Sequence, residues 1–249
     1  MDKLNLKVMV IESDFYALQT VNSYLAWDRR TRVVALANNP VQAFDRLHRL
    51  AEAEWPDVIL LEVDMLPDAE ALRGMITQFR DTVKDVIVVC LAHRVDAQWI
   101  SAAADAGARA YLLRNEVRLQ LVEAICYTLD RKFVVTPSIR EAAAAHFDAR
   151  VYHADVLPHE RDYPEMTDRI RQAIWLCVVE GMPAQLAADE MGISPHTIRS
   201  YIKEGYRILE AHDDSDYPAE MGPLERAFMR FTALNKDEDT DPKRKNPPE

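Results

Sequence analysis

The first half of the chain alternates between short apolar runs and longer amphipathic stretches. The apolar runs are LKVMVI, RVVALA, DVILLEV, DVIVVCLA and ARAYLL. Continuous Val/Ile/Leu runs separated by helices are typical of parallel strands that are buried on both faces. The pattern therefore predicts an α/β domain over residues 1–131, with a five-stranded parallel sheet of the doubly wound, flavodoxin-like order.

A purely helical pattern replaces this alternation in the C-terminal half. The segment MPAQLAADE predicts a short helix with Leu186 and Ala187 facing inward. Gly192 suits a tight turn, and Ser194 is a good N-cap for a second helix with Pro195 at its first position. The apolar positions that recur at helical spacing in this second helix are Ile198, Ile202 and Leu209. Two helices joined by a glycine turn predict a helix-turn-helix, although a plain helical hairpin would have the same shape.

The opposite face of the second predicted helix carries polar side chains. These are His196, Thr197, Arg199, Ser200, Lys203 and Arg207. Donors of this kind suit the phosphate oxygens and base edges of double-stranded DNA. We expect Arg199, Ser200 and Lys203 to lie near the major groove, and His196 and Thr197 to lie near the DNA backbone at the start of the helix.

The remaining segments divide the chain further. Residues 132–163 contain a predicted helix followed by prolines and mixed charges, and we interpret them as a helical linker. The helix-turn-helix domain is placed at residues 164–213. Residues 214–235 predict one more amphipathic helix, which either packs against the preceding helices or serves as a dimer or partner surface. The charged residues 236–249 are expected to be disordered. The apolar stripe of the added helix consists of Leu224, Ala227, Phe228, Phe231 and Leu234.

Composition narrows the classes of function. The net charge of −11 is unusual for a protein that binds a polyanion, so DNA binding would depend on local cations. Three cysteines without metal or disulfide spacing suit a reducing cytoplasm. No apolar run approaches the roughly 20 residues that span a bilayer, so we expect no membrane partner. Without a nucleophile–base pair, Gly-rich phosphate loop or metal cluster, we expect no enzyme activity, catalytic residue, cofactor or bound metal.

The candidate functional residues of the first domain lie at the ends of its central strands. In a doubly wound fold, ligands bind at the carboxyl ends of the strands. The residues at these positions are Glu12, Ser13, Glu62, Cys90 and Arg114. With the flanking runs at 56–61 and 106–113, this constellation resembles the receiver domain of response regulators over nearly all of residues 4–130. The resemblance implies a pocket that holds a divalent metal and accepts a phosphoryl group on an aspartate.

Each functional position of that family differs here. The resemblance places Glu12 and Ser13 at the metal-binding acidic pair, Glu62 at the phosphoacceptor aspartate, Cys90 at the switch Ser/Thr and Arg114 at the conserved lysine. Glu62 is one methylene longer than aspartate, and Ser13 removes charge that Mg²⁺ requires. Arg114 has a forked, permanently charged head that can pair with Glu12 or Glu62. These changes predict a degenerate pocket that is closed by an internal Arg–Glu pair.

Several alternatives stay open at this pocket. Glu62 could mimic a phosphorylated state, or it could be the decayed site of a domain kept for dimerisation. Asp14 or Asp64 could accept phosphate instead. Cys90 could sense oxidants if a nearby cation lowered its pKa, or it could be an inert buried thiol. Tyr111 could be the switch aromatic of the family, or a strand tyrosine that packs with its hydroxyl at the surface.

The C-terminal residues 166–209 resemble the LuxR-type effector domain of NarL/FixJ response regulators. Met166-Thr167 stands where that family has Leu-Thr, Gly181 follows the first helix, and the run GISPHTI at 192–198 matches the most specific part of the family pattern. Tyr201 departs from the pattern, since the family often has His there. The usual Glu-rich opening is also replaced, by the run DRIR.

Together the two resemblances imply a DNA-binding transcriptional regulator that acts without canonical phosphorylation, as a homodimer. A different class of function is a protein-interaction adaptor that contacts RNA polymerase or another regulator, which the acidic balance and the added helix favour. An orthodox phosphorylated regulator would need an aspartate at position 62, where this chain has Glu62.

Overall fold

The computed structural model of the chain describes residues 5–146, 149–213, 217 and 220–235. The chain divides into two compact units, Met1–Pro158 and His159–Glu249. The predicted disordered tail lies outside the described residues. Within the part of the chain that is described, no helix combines the length and the apolar character that crossing a membrane requires.

A parallel sheet forms the centre of the first unit. Its strands are β1 (Leu6–Ile11), β2 (Thr31–Ala37), β3 (Val58–Glu62), β4 (Ile87–Ala92), β5 (Ala110–Leu113), β6 (Val134–Val135) and β7 (Asp155–Val156). Among the described residues, these seven strands lie in the order β2-β1-β3-β4-β5-β6-β7. The first five strands follow the predicted flavodoxin-like order, and the fold class is confirmed.

Helices connect the strands of this sheet. They are α1 (Phe15–Trp27), α2 (Pro40–Arg49), α3 (Ala69–Thr82), α4 (Ala97–Asp105), α5 (Arg114–Val117), α6 (Leu121–Thr128), α7 (Pro137–His146) and α8 (Ala149–Tyr152). Four of the helices begin at a side chain that accepts a backbone N–H, which satisfies a donor that the first turn leaves free. These N-caps are Asp14, Asn39, Asp68 and Asp96.

The sheet is wider than the five strands that the sequence predicts. Residues 132–163, interpreted as a linker, supply β6 and β7, which continue the parallel pairing beyond β5. Val151, Ala154 and Leu157 in this segment are buried. The linker interpretation is therefore wrong for most of this segment, because its backbone and apolar side chains complete the first unit. Strands of two residues are too short to produce a recognisable alternation of apolar and polar positions.

The second unit is helical. Its elements are α9 (Asp168–Ile174), a π-helical turn (Trp175–Val179), α10 (Ala184–Met191), α11 (Pro195–Ala211) and α12 (Pro223–Phe231). Ile170, Ile174 and Leu209 share a buried cluster with Ala227 and Phe231 of α12. The added helix thus packs on the preceding helices, as one of the two alternatives predicts. Leu224 is 44% exposed, so the helix buries a narrower stripe than expected.

Helices α9 and α11 approach each other closely at a glycine. A Cβ atom on Gly205 would lie 2.5 Å from both Cγ1 and Cδ1 of Ile174. Real side chains do not tolerate such distances, so Ile174 would have to move to admit any larger residue. Glycine in the middle of a helix costs about 1 kcal/mol relative to alanine, and here the packing of two helices offsets that cost.

Candidate functional site

Four of the five predicted pocket residues lie together where strands of the first unit end, and Ser13 is there beside Glu12. Glu12 follows β1, Glu62 is the last residue of β3, and Arg114 follows β5. Glu12 is 2% exposed and Glu62 is 7% exposed, so two carboxylates are buried at one edge of the sheet. Buried carboxylates need partners, because an unpaired charge in a protein interior is strongly unfavourable.

Each of these carboxylates has its own partners. Arg114 forms an ion pair with Glu12 through Nη2, and the backbone N–H of Asp14 donates to Oε1 of Glu12 at 3.0 Å. Glu62 accepts two hydrogen bonds at Oε2, from the backbone N–H of Ser13 at 2.8 Å and from its hydroxyl at 2.7 Å. An internal Arg–Glu pair is therefore present, as expected, with Glu12 as the acid. The Ser13–Glu62 bonds are a contact that the sequence did not suggest.

The pKa values of the two carboxyl groups are shifted in opposite directions. Burial raises the pKa of Glu12, and the charge of Glu62 adds to this rise, while Arg114 opposes it. Burial also acts to raise the pKa of Glu62, but the two hydrogen bonds from Ser13, a hydrogen bond with Glu12 and the charge of Arg114 together lower it. Ser13 therefore stabilises the charged form of Glu62.

This arrangement does not fit the divalent metal that receiver domains hold. Oε2 of Glu12 already faces a guanidinium, and Oε2 of Glu62 is occupied by both donors of Ser13. Asp14, the next carboxylate, caps α1 by accepting from the N–H of Ala17 at 2.7 Å. A hard cation needs several free oxygens, whereas these oxygens are engaged by N–H and O–H donors.

Cys90 and Tyr111 lie elsewhere in the fold. Cys90 is inside β4 rather than beyond its end, and it is fully buried in the apolar core. Burial raises the pKa of its thiol, which is the opposite of the shift that makes a cysteine reactive. Tyr111 is 1% exposed in the same core, so the alternative that places its hydroxyl at the surface is wrong.

Asp64 is the remaining candidate phosphoacceptor of the first unit. Its Oδ2 accepts the backbone N–H of His93 at 2.9 Å, and its Oδ1 lies 3.9 Å from Nε of Arg94. The carboxylate thereby ties the end of β3 to the loop after β4. This contact gives Asp64 a structural role that does not involve phosphate.

The helix-turn-helix of the second unit has the geometry that its sequence predicts. Gly192 ends α10 in the left-handed conformation, with φ of +64°. Ser194 then caps α11, accepting the N–H of Thr197 at 3.1 Å, and Pro195 occupies the first turn. Ala187 is buried as expected, but Leu186 is 56% exposed, so its predicted inward orientation is wrong.

The polar side chains of α11 differ in whether they already make hydrogen bonds within the protein. Arg199 and Lys203 are exposed, and within the described part of the chain neither makes a hydrogen bond or an ion pair. His196 is also exposed. Ser200 donates its hydroxyl to the carbonyl of His196, and Thr197 shares a hydrogen bond with Ser194, so both hydroxyls take part in local bonds.

Arg207 is held by an acidic neighbour. Its Nε lies 3.0 Å and its Nη2 lies 2.6 Å from the two carboxylate oxygens of Glu204. The pair is exposed, so it can open with little loss of free energy. The spacing of three residues on one helix is the sequence signal that indicates this pairing.

Comparisons with known proteins agree with the division into two units. Residues 164–209 match the family model "Sigma-70, region 4". The chain is 22% identical over 208 residues to the response regulator protein VraR of Staphylococcus saprophyticus, which covers 84% of this chain and 92% of that protein. VraR of Staphylococcus aureus is 21% identical over 210 residues, covering 84% and 93% respectively.

Two solved structures are also similar to this chain. RcsB from Salmonella enterica serovar Typhimurium, bound to promoter rprA, is 14% identical with a TM-score of 0.46, covering 92% of this chain and 100% of that chain. A response regulator from Thermotoga maritima is 27% identical with a TM-score of 0.43, and the match covers 51% of this chain and 98% of that chain. The chain consists of a receiver-like parallel α/β unit followed by a helix-turn-helix unit, and it is similar over most of its length to response regulators.

Proposed function

We propose that the protein is a DNA-binding transcriptional regulator whose receiver-like unit works without phosphorylation. The observation that carries the proposal is the exposed face of α11, where Arg199 and Lys203 have no partner within the described residues. Their charges are therefore available to an anionic ligand. The helix-turn-helix around them is the arrangement that places a helix in the major groove of DNA.

The dimensions of α11 suit this role. The helix has 17 residues and is about 25 Å long at the usual rise per residue. Side chains on the groove-facing side of a recognition helix contact base edges, and those at its margins contact the flanking phosphates. Arg199 lies one turn into the helix and suits a guanine edge, whereas Lys203 lies a turn further and suits a phosphate. His196 and Thr197 lie at the start, near the DNA backbone.

The pocket of the first unit supports independence from phosphorylation. Its buried carboxylates are already bonded to Arg114, Ser13 and the backbone, so an incoming phosphoryl group would have to break these contacts. We infer that the closed pocket holds one conformation without a phosphodonor. Glu62 then serves as a structural acceptor for Ser13.

We further propose that the protein binds DNA as a homodimer. A single α11 offers few unpaired cations, and the net charge of the chain is −11. Two recognition helices on half-sites about one DNA turn apart would double the favourable contacts. The affinity should fall steeply with added salt, since each neutralised phosphate contributes to the salt dependence.

The experiment that tests the proposal is selection of DNA by the purified full-length protein, without phosphodonor, from a random duplex library. The selected site is then titrated at two salt concentrations. A repeated motif with a fixed half-site spacing is the expected result, and acetyl phosphate should leave the affinity unchanged. Recovery of specific binding only after acetyl phosphate would overturn the phosphorylation-independent part of the proposal.

A second candidate function is an adaptor that contacts another protein. Leu186 on α10 is 56% exposed beside the exposed acids Asp189 and Glu190, a combination that suits a partner with an apolar and basic surface. If the selection yields no enriched sequence even at low salt, the adaptor becomes the better explanation.

A further inference from the structure

A cleft of about 220 Å³ opens in the first unit between α1 and the segment that follows β5. Val21 and Tyr24 of α1 form one wall, while Val117 and Leu121 form the other. Two arginines, Arg114 and Arg118, complete the lining, which contains no acidic side chain. The cleft is thus an apolar cavity whose charged groups are all cations.

Arg114 contributes an unsatisfied donor to this region. Its Nη2 pairs with Glu12, but its Nε is buried and has no hydrogen-bond partner among the described residues. Buried donors without a partner are rare in proteins, and each one calls for a partner such as a water or a ligand. Since Arg114 lines the cleft, its guanidinium adds a positive charge beside the space that a ligand would occupy.

Arg118 is the second unusual feature. Its backbone has φ of +43° and ψ of −116°, a combination that residues other than glycine rarely adopt. Strained residues persist where the surrounding structure holds them, and they cluster at ligand clamps and active sites. The exposed side chain of Arg118 donates from Nε to the carbonyl of Asn115, which leaves its terminal nitrogens for other acceptors.

We propose that this cleft binds a small organic anion, namely a carboxylate on a body of about one aromatic ring. An apolar cavity of about 150 Å³ accommodates benzene, so the larger volume of the cleft admits one ring together with its carboxylate. The ring would lie between Val21, Tyr24, Val117 and Leu121. The carboxylate would face Arg118, whose forked head matches it in shape and charge.

The proposal does not depend on the DNA-binding function, because the cleft belongs to the first unit alone. It also differs from the closed pocket: Glu12 and Glu62 do not line the cleft, and Arg114 is the residue that the two share. Binding can therefore be measured without DNA. Failure of this inference would leave the proposed function untouched.

Isothermal titration of the full-length protein with sodium benzoate tests the proposal, with benzamide as the neutral probe of the same size. Benzoate should bind, and benzamide should bind at least about tenfold more weakly, as the loss of one charge-assisted contact implies. Arg118→Gln should weaken benzoate binding by a similar factor. Arg46→Gln removes the same charge from α2, outside the cleft, and should bind benzoate like the unmodified protein.

A space-filling variant tests the location. Val21→Phe fills the cleft while keeping both arginines, so it should lose benzoate binding; its thermal unfolding is measured to show that it folds.

Equal binding of benzamide, unchanged binding by Arg118→Gln, or no binding of benzoate at all would each overturn the proposal. Sedimentation at rising protein concentration adds a last outcome: if self-association abolishes benzoate binding, a second copy covers the cleft and the proposal is wrong.

Discussion

The two units use their charged side chains in opposite ways. In the pocket of the first unit, Glu12 and Glu62 are buried and bonded to groups of the same unit. On the polar face of α11 in the second unit, Arg199 and Lys203 are exposed and have no partner among the described residues. A charge whose partners are internal stabilises a conformation, whereas a charge without one is available for binding.

Whether a charged side chain has an internal partner indicates its role, structural or functional, more clearly than its residue type does. The pocket has acids and a cation, which is the composition of a site for metal-assisted chemistry, yet both acids are already bonded to groups of the same unit. The polar face of α11 belongs to an acidic protein, yet it presents cations to solvent. The comparison predicts that substitutions in the pocket change stability first, and substitutions on α11 change DNA binding first.

The largest expected effect is at the buried ion pair. Arg114→Met should reduce the free energy of unfolding by about 3 kcal/mol, because it leaves the carboxylate of Glu12 buried without its cation. Urea unfolding at neutral pH measures the loss. Arg49→Met is the matched control, since the Arg49–Asp45 pair is 76% and 50% exposed and should contribute less than about 1 kcal/mol. Equal losses in the two variants would contradict a stabilising role for the pocket.

The next effect is on DNA recognition. Arg199→Ala should cost about 1–3 kcal/mol of binding free energy at the selected site and relax the preference at one base position. Lys203→Ala should weaken all sequences similarly and reduce the salt slope by about 1. Anisotropy titrations against the selected site and its single-base variants measure both. If Lys203→Ala changes neither affinity nor salt slope, the docking of α11 that we propose is wrong.

A smaller, pH-dependent effect is expected at Ser13. The lowered pKa of Glu62 means that its stabilisation is present above the unfolded-state pKa and is lost as the pH falls through the folded-state pKa. Ser13→Ala should therefore cost about 1–2 kcal/mol at pH 7, and the difference should shrink below about pH 4.5.

The matched control for this variant lies on α1, the helix that begins two residues after Ser13. Ser23 donates its hydroxyl to the carbonyl of Gln19 in α1, so Ser23→Ala removes a hydroxyl that does not contact a carboxylate. Urea unfolding at pH 7 and pH 4 should show no pH-dependent loss for that variant. The same pH dependence in both variants would exclude Glu62 as its source.

The smallest effect sharpens the comparison within α11 itself. Glu204→Gln releases Arg207 and removes a negative charge from the polar face, so DNA affinity should rise about two- to threefold at low salt. Glu190→Gln makes the same charge change on α10, where it should have less effect. An affinity that falls in Glu204→Gln would indicate that Glu204 itself contacts a base, as acids do at cytosine.

Local signals in the sequence predict much of the fold. The apolar runs identify β1 to β5, and Gly192 and Ser194 identify the turn and cap that precede α11, because these features depend on neighbouring residues. The sequence does not predict strands β6 and β7, since two residues carry no periodicity. Only pairing makes them strands, of β6 with β5 and of β7 with β6.

In the candidate sites too, the sequence predicts what depends on local signals and misses what depends on contacts in the folded chain. The position of Glu12, Glu62 and Arg114 at one edge follows from strand order, which the sequence indicates. The choice of partners does not, because it depends on distances: Arg114 pairs with Glu12, while Ser13 bonds to Glu62. The exposure of Leu186 was also mispredicted, because helical periodicity does not specify which of two adjacent apolar positions faces the core.

The close approach at Gly205 has a consequence for how the DNA preference of this protein can change over evolution. Gly205 contacts no DNA in the proposed docking, yet its missing side chain fixes the distance between α11 and Ile174. A larger residue there would shift or rotate the whole helix against its support. Substitutions at Arg199 should alter the preference one base at a time, whereas a substitution at Gly205 should displace every contact together.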